Sequence, residues 1–256
     1  MLSLGLGSQP TTECGIFGSY QSLDLDGNSD YVSLPSSIKD IFNKSAATVS
    51  AWVNLIQNDG DTSQQVCKVF TDTGNQFQLF YHKYETEWRS TLKTQNGTTR
   101  KAVYDIPGSS DNDGSGYDDG WQHFVGCFTI GEGGDYSVKL YRNGSLVQNT
   151  SGGSGQASWS GDINSIHIGA GQDGSGAFVD GQIDQVGIWN VELPAAAITA
   201  IYNGGVMRDL TTQHTNYTQT GDLLGYYQFE GNALDSSNTK AHGTLNGTAG
   251  FSTSQP

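Results

Sequence analysis

The sequence is poor in charge, and poorest in cations. Of its 256 residues 15% are charged, and 12 basic side chains face 26 acidic ones for a net charge of −14. A surface of that sign repels phosphate backbones and anionic headgroups, so neither nucleic acid nor membrane insertion is expected. Cysteine is limited to Cys14, Cys67 and Cys127. An odd set cannot form a complete disulfide framework, and no CxxC or Cys/His cluster suggests a zinc site. The chain begins at Met1 without a basic segment or a continuous apolar run, so no signal peptide is expected. No phosphate loop or dinucleotide fingerprint occurs. Helix bundles, coiled coils and membrane spans fit the composition poorly.

What the sequence does have is glycine, 35 residues, and 11% aromatics. That much glycine implies many turns, and many turns imply many short strands. Apolar or alternating runs follow one another, each closed by turn residues: 20–25, 31–34, 47–56, 66–70, 76–82, 88–93, 101–106, 121–130 and 136–141. Asn143-Gly144 then marks a tight hairpin before 145–147. Strands at 163–169, 182–189, 223–230 and 242–245 complete the series. One helix is visible, opened by Leu193-Pro194, carried by 195–202 and stopped by Asn203-Gly204-Gly205. The pattern predicts an all-β, antiparallel β-sandwich or jelly roll with one short helix. Residues 1–19 read as an N-terminal extension and 20–256 as a single domain. The last 30 or so residues are too few for a core of their own and are expected to add edge strands. Six Asn-x-Ser/Thr sequons follow from the polar composition rather than from glycosylation.

Six segments, in order, carry a family resemblance. Leu23-Asp24-Leu25-Asp26-Gly27-Asn28-Ser29-Asp30-Tyr31-Val32 resembles the opening strand of laminin G-like, concanavalin A-like domains. Val49–Val53 resembles the family's second signature, Gly120–Val125 its central one, and Lys139–Gly144 the hairpin that follows. Gly181–Asn190, continued by Tyr202-Asn203-Gly204-Gly205, resembles its closing block. The tail, from Leu223-Leu224-Gly225-Tyr226-Tyr227 to His242-Gly243-Thr244-Leu245, is similar to jelly-roll domains in structural proteins of tailed, notably marine, phages. The resemblance implies a concanavalin A-like jelly roll in a virion protein. It would be a capsid decoration or tail-fibre adhesin that binds glycan or a host-surface receptor, sits among other virion proteins and is homo-oligomeric. The alternative is a secreted, extracellular bacterial domain that binds polysaccharide or hydrolyses it.

Glycosidases of this fold carry two carboxylates on one strand so that alternate side chains reach one face. Glu85-Thr86-Glu87 comes nearest, but no Asp separates the two acids and Trp88-Arg89 follow. None of the five histidines adjoins a nucleophile motif. The chain is therefore read as no enzyme. Aromatic faces beside amides and charges suit sugar, which singles out Tyr81, Tyr84, Trp88 and Arg89, with Trp159 in a second Gly/Ser-rich loop. Core packing is the competing reading for each of these rings, and Trp52, Trp121 and Trp189 are read as core. Calcium takes 6–8 oxygens. The turn Asp26-Gly27-Asn28-Ser29-Asp30 offers several, and the resemblance would bring Asp184 within reach as part of a structural Ca²⁺ site. Ordinary turn hydrogen bonding explains the same aspartates equally well. The acidic run Asp111–Asp119 lacks the closing Glu of a calcium loop and reads as a solvated loop.

Overall fold

The computed structural model describes residues 20–56, 63–95, 97–106, 120–153 and 157–256. Cys14, the 1–19 extension and the acidic run 111–119 lie outside these residues. In chain order the described elements are β1 (Ser22–Asp26), β2 (Tyr31–Ser33), α1 (Ser36–Lys39), β3 (Ala46–Leu55), β4 (Ser63–Thr71), β5 (Gln76–His82), β6 (Glu87–Lys93), β7 (Thr99–Asp105) and β8 (Gln122–Ile130). There follow β9 (Tyr136–Arg142), β10 (Ser145–Gly152), β11 (Ile163–Ile168), β12 (Asp180–Trp189), α2 (Ala195–Tyr202), β13 (Leu223–Tyr227), β14 (Thr244–Asn246) and β15 (Gly250–Ser252). The first sheet runs β10-β9-β8-β3-β12-β1-β15, with β13 also paired to β12; the second runs β14-β2-β11-β4-β5-β6-β7. All pairings between these strands are antiparallel. This is the β-sandwich that the strand spacing implies.

Alternation decides which residues hold the sheets together. Ala47, Val49, Ala51 and Val53 of β3 and Phe124 and Phe128 of β8 point inward, against Phe77 and Leu79 of β5 and Trp88 and Leu92 of β6. Trp88 stacks on Phe124 across the gap with ring centroids 3.9 Å apart, and Phe77 meets Phe128 at 4.8 Å. Each such ring contributes about 1.5–3 kcal/mol by leaving water. Between the two β8 phenylalanines sits Gly126, where a Cβ would come within 2.8 Å of Ser90 Oγ on the facing sheet. Along one flank, the edge strand β7 is met by side chains of β10. The Gln148 amide oxygen accepts the Val103 N–H at 2.5 Å, and Thr150 Oγ1 donates to the Lys101 carbonyl at 2.8 Å. Capped in this way, the edge offers less backbone to another chain.

The helix forms where the sequence places it. Asn203 closes α2 with a left-handed backbone (φ 50°), and Gly204 and Gly205 follow at 67° and 95°. Ala197, Ile198 and Ile201 of α2 cover Val125, Cys127, Tyr141 and Trp189 on the outer face of the first sheet, forming a second apolar layer. Tyr202 lies over both Trp52 and His123, each at 5.8 Å. Beneath it His123 Nε2 and Ser50 Oγ are 2.7 Å apart.

Two features depart from expectation. A single helical turn, α1, buries Ile38, whereas the last strand, β15, pairs with β1 at the edge of the first sheet, as expected of the tail. Trp121 is half-buried, its Nε1 donating to Ser254 Oγ at 3.2 Å, because it precedes β8 rather than lying within it.

The C-terminal segment is organised around one buried carboxylate. Asp235 accepts the N–H groups of Tyr226 (2.9 Å), Ser237 (2.8 Å) and Ala241 (2.8 Å) and the Ser237 hydroxyl (2.9 Å). Its own N–H donates to His242 Nδ1 at 3.0 Å. Hydrogen bonds to a charged acceptor are worth about 1.5–3 kcal/mol each, enough to hold a segment with little regular structure.

Burial of His123 makes a prediction. Desolvation pushes its imidazole down to about 3, whereas in the unfolded chain it titrates near 6.5. Between those values the unfolded state binds the extra proton, so this contribution to stability is complete above pH ~6.5 and is lost as pH falls toward ~3, by up to about 1.4 kcal/mol per pH unit. Urea melts of wild type and His123→Gln from pH 4 to 8 should diverge with that slope below pH ~6.5. Parallel pH profiles would remove His123 as the cause.

Candidate functional site

The β5–β6 hairpin contains four of the five predicted ligand-binding residues, and the pleat separates them. In its register Phe80 faces Arg89, Tyr81 faces Trp88 and His82 faces Glu87. Tyr81 and Trp88 point inward, 2% and 4% exposed, with their rings 5.8 Å apart in the core. They are thereby out of reach of a surface ligand. Phe80, His82, Glu87 and Arg89 occupy the opposite face. The turn between the strands, with Thr86 at φ 48°, lifts Tyr84 into solvent at 51% exposure. Trp159 lies near the far end of β6, where Ser158 accepts the Gln95 N–H, and is half-buried against Phe42 and Phe128 at 6.0 and 5.0 Å. The structure thus keeps Tyr84 and Arg89 together on the outer face and takes Tyr81, Trp88 and Trp159 into packing.

Residues that sequence patterning did not single out complete this face. The rings of Phe80, His82 and Tyr84 follow one another at 6.3 and 6.5 Å. The Arg89 guanidinium lies 5.9 Å over the Phe80 ring and pairs with Glu85 and, at 2.7 Å, with Glu87. Lys101 of β7 reaches both acids at 3.5 Å. Burial lowers the His82 imidazole, and the charges of Arg89 and Lys101 lower it further. Burial likewise raises the Glu87 carboxyl, which Asp105 on the facing strand hydrogen-bonds and repels, against the pull of Lys101. Burial also lowers Arg89, with Asp105 opposing. The signal that could have located Phe80 and His82 was the period of two itself, once Tyr81 is placed inside.

The aspartate turn lies elsewhere, at the end of β1. Asp26 Oδ1 accepts the N–H groups of Asn28 (2.9 Å), Ser29 (2.9 Å) and Asp30 (3.2 Å). Burial alone would raise its carboxyl, but these bonds hold it below the usual range. Asp30 is 2% exposed and accepts the Thr248 N–H at 2.6 Å, binding the turn to the C-terminal segment. Across the β1–β12 pair Asp26 faces Asp180, whose carboxyl is raised by burial and by the charges of Asp26 and Asp24. Asp184 is four residues farther along β12, ~13 Å at the rise of a strand. It is fully buried, with Oδ1 accepting the Gln185 N–H at 2.7 Å. The fold therefore brings Asp180, not Asp184, to the turn. Among the described residues no group of three or more His, Cys, Asp or Glu side chains is placed to hold a metal ion. No helix among them is long and apolar enough to cross a membrane.

Two sheets, the closing block at β12 and the covering helix define a lectin-like sandwich, and the sequence agrees. The chain belongs to the concanavalin A-like lectin/glucanases superfamily, whose profile matches residues 26–199. No curated protein matches it in sequence. Among solved structures, a Bacteroides ovatus protein provisionally assigned to carbohydrate binding is 14% identical with a TM-score of 0.60, over 93% of this chain and 61% of that one. The serotype D botulinum neurotoxin binding domain is 17% identical with a TM-score of 0.52, over 79% of this chain and 47% of that one. For the serotype G domain the values are 15% and 0.51, over 71% and 42%. The chain thus spans less than two thirds of each of these proteins. At such identities the likeness is one of fold.

Packing and exposure separate the candidate rings experimentally. Trp88→Ala should cost about 3–5 kcal/mol of stability, since it empties a core site. Tyr84→Ala should change stability by no more than about 0.5 kcal/mol. Equal costs in denaturant melts would contradict the assignment of Trp88 to the core and Tyr84 to solvent.

Proposed function

We propose that the chain is a non-enzymatic binding module of a virus particle, a capsid decoration or tail-fibre adhesin that contacts glycan on a host surface. The observation that carries the binding reading is the outer face of the β5–β6 hairpin. There the exposed Tyr84 ring stands beside His82 and a fixed network of Arg89, Glu85, Glu87 and Lys101. Aromatic C–H contacts together with charged hydrogen-bonding groups suit a sugar. The provisional assignment of the Bacteroides protein and the binding role named for the neurotoxin domains point the same way. Such a contact is weak in one copy and gains strength from repetition, which a homo-oligomer on a particle supplies. The virion setting rests on the order of the tail motifs, which resembles that of tailed-phage structural proteins.

The hydrolase alternative has one observation in its favour: Glu87, with a raised carboxyl, faces Asp105 across β6 and β7. A glycosidase needs its two carboxyls about 5–9 Å apart with the scissile bond between them. Glu87 and Asp105 instead stand directly opposite each other in the ladder, and Glu87 is tied up in ion pairs with Arg89 and Lys101. A polysaccharide panel should therefore show retention without release of reducing ends, and Tyr84→Ala or Arg89→Ala should weaken retention by about tenfold. Release abolished by Glu87→Gln would replace binding with hydrolysis. Antibody to the chain should label particles in electron micrographs; label confined to bacterial cells or medium would favour the extracellular alternative.

Calcium is the further part of this reading. Asp26 faces Asp180 across the β1–β12 pair, where burial and the charges of Asp26 and Asp24 raise the Asp180 carboxyl, and a cation there would relieve the repulsion. A structural Ca²⁺ here would stabilise the native state alone. Added Ca²⁺ should raise the melting temperature and EDTA should lower it, with Asp180→Asn insensitive to both. Identical melts would assign the turn to hydrogen bonding only.

A further inference from the structure

A concavity lies on the side of the first sheet, away from the β5–β6 hairpin. It is a cavity of about 350 Å³ between α2 and the chain that follows it, lined by Thr199, Ala200, Asn203, Arg208, Thr215 and Asn216. That volume falls within the range of small-ligand sites.

Its polar groups are held in place from behind. One Arg208 Nη2–H donates to Asn203 Oδ1 at 2.6 Å, and Asn203 Nδ2 donates to the Val206 carbonyl at 3.1 Å. The Arg208 carbonyl accepts from the buried Tyr226 hydroxyl at 3.2 Å. His214 and Tyr217 exchange both backbone hydrogen bonds at 2.9 Å, closing a two-residue turn whose Asn216 takes φ 68°. Tyr217 is buried and donates to the Leu210 carbonyl at 2.7 Å, which anchors that turn. The turn therefore places Thr215 and Asn216 at the cavity wall.

The charge of Arg208 is what distinguishes this place. Lys44, Arg89, Lys101 and Lys139 all pair with carboxylates, and Arg100 and Arg142 lie over tyrosine rings. Arg208 has no carboxylate partner among the described residues, as is also true of Lys39 and Lys240, which donate to carbonyls, but Arg208 lines a cavity. The adjacent Asp209 is turned to Thr211 and Thr212, accepting the Thr211 N–H at 2.8 Å and the two hydroxyls at 2.7 and 3.1 Å. In a chain of net charge −14, a guanidinium with most of its donors unspent faces a cavity. Such a fork matches a carboxylate in two parallel hydrogen bonds.

We propose that this cavity binds a carboxylated sugar, with the carboxylate on Arg208 and ring hydroxyls on Thr215 and Asn216. The inference rests on the glycan-binding reading and narrows it to acidic sugars, at a site separate from Tyr84. The test is an amide-resolved NMR titration of the full chain with methyl glucuronide, methyl glucoside and inorganic sulfate. The glucuronide should shift signals of residues 199–217 saturably, and the glucoside should bind at least about tenfold more weakly, as loss of a charged hydrogen-bond pair implies. Arg208→Gln should lose at least about tenfold with its spectrum still dispersed, and Asn216→Ala should lose severalfold even if the Arg208 variant fails to fold. Absent shifts, equal affinity for glucuronide and glucoside, or sulfate binding as well as the glucuronide would each overturn the proposal. A blank polysaccharide panel beside a positive titration would remove the hairpin reading alone, and the converse would remove this one.

Discussion

Gln185, buried and held in a left-handed conformation at φ 50°, lets one strand serve three partners. On one side β12 pairs with β3 almost throughout; on the other it takes β1 along Asp180–Ile183 and β13 along Val186–Trp189. The ladder slips between Asp184 and Gly187, where Gln185 bulges. A non-glycine residue there costs on the order of 1–3 kcal/mol, and surrounding structure must enforce it. Asp184 accepts its N–H, and its side-chain amide hydrogen-bonds the Tyr226 hydroxyl of β13. Through this bulge the opening strand and the C-terminal segment join the same sheet.

The C-terminal segment depends on that junction and in turn ties both sheets. From β13 the chain is folded around Asp235, then adds β14 to β2 in the second sheet and β15 to β1 in the first. Thr248 bonds Asp30 on the way, so the aspartate turn is fastened by residues more than two hundred positions away. The carboxylates that looked like a ligand set are thus divided by structural roles: Asp184 serves the bulge, Asp30 the tail and Asp26 its own turn.

Both candidate binding places lie where the sandwich has side chains to spare. On the second sheet, the face turned from the core holds the hairpin's charges in a closed network, and Tyr84 projects beyond it. On the first sheet, α2 covers the apolar outer face, and the chain leaving it forms a cavity around Arg208. The core sets both, since the registers that bury Trp88 and Trp189 determine which neighbours remain outside.

Alternating runs and glycine turns determined the strands and their antiparallel class, because a period of two and turn residues are local properties. Pro194 and Asn203-Gly204-Gly205 bounded the helix for the same reason. The hairpin's mixture of Tyr84 and Arg89 was legible too, but its division was not. Which of Tyr81, Tyr84, Trp88 and Arg89 face solvent depends on which face the opposite sheet covers. The separation of Asp184 from Asp26 arises from strand pairing between distant segments, and the cavity at Arg208 from a turn at Thr215-Asn216 closing beside α2. Those contacts join residues remote in sequence, and only tertiary structure decided them.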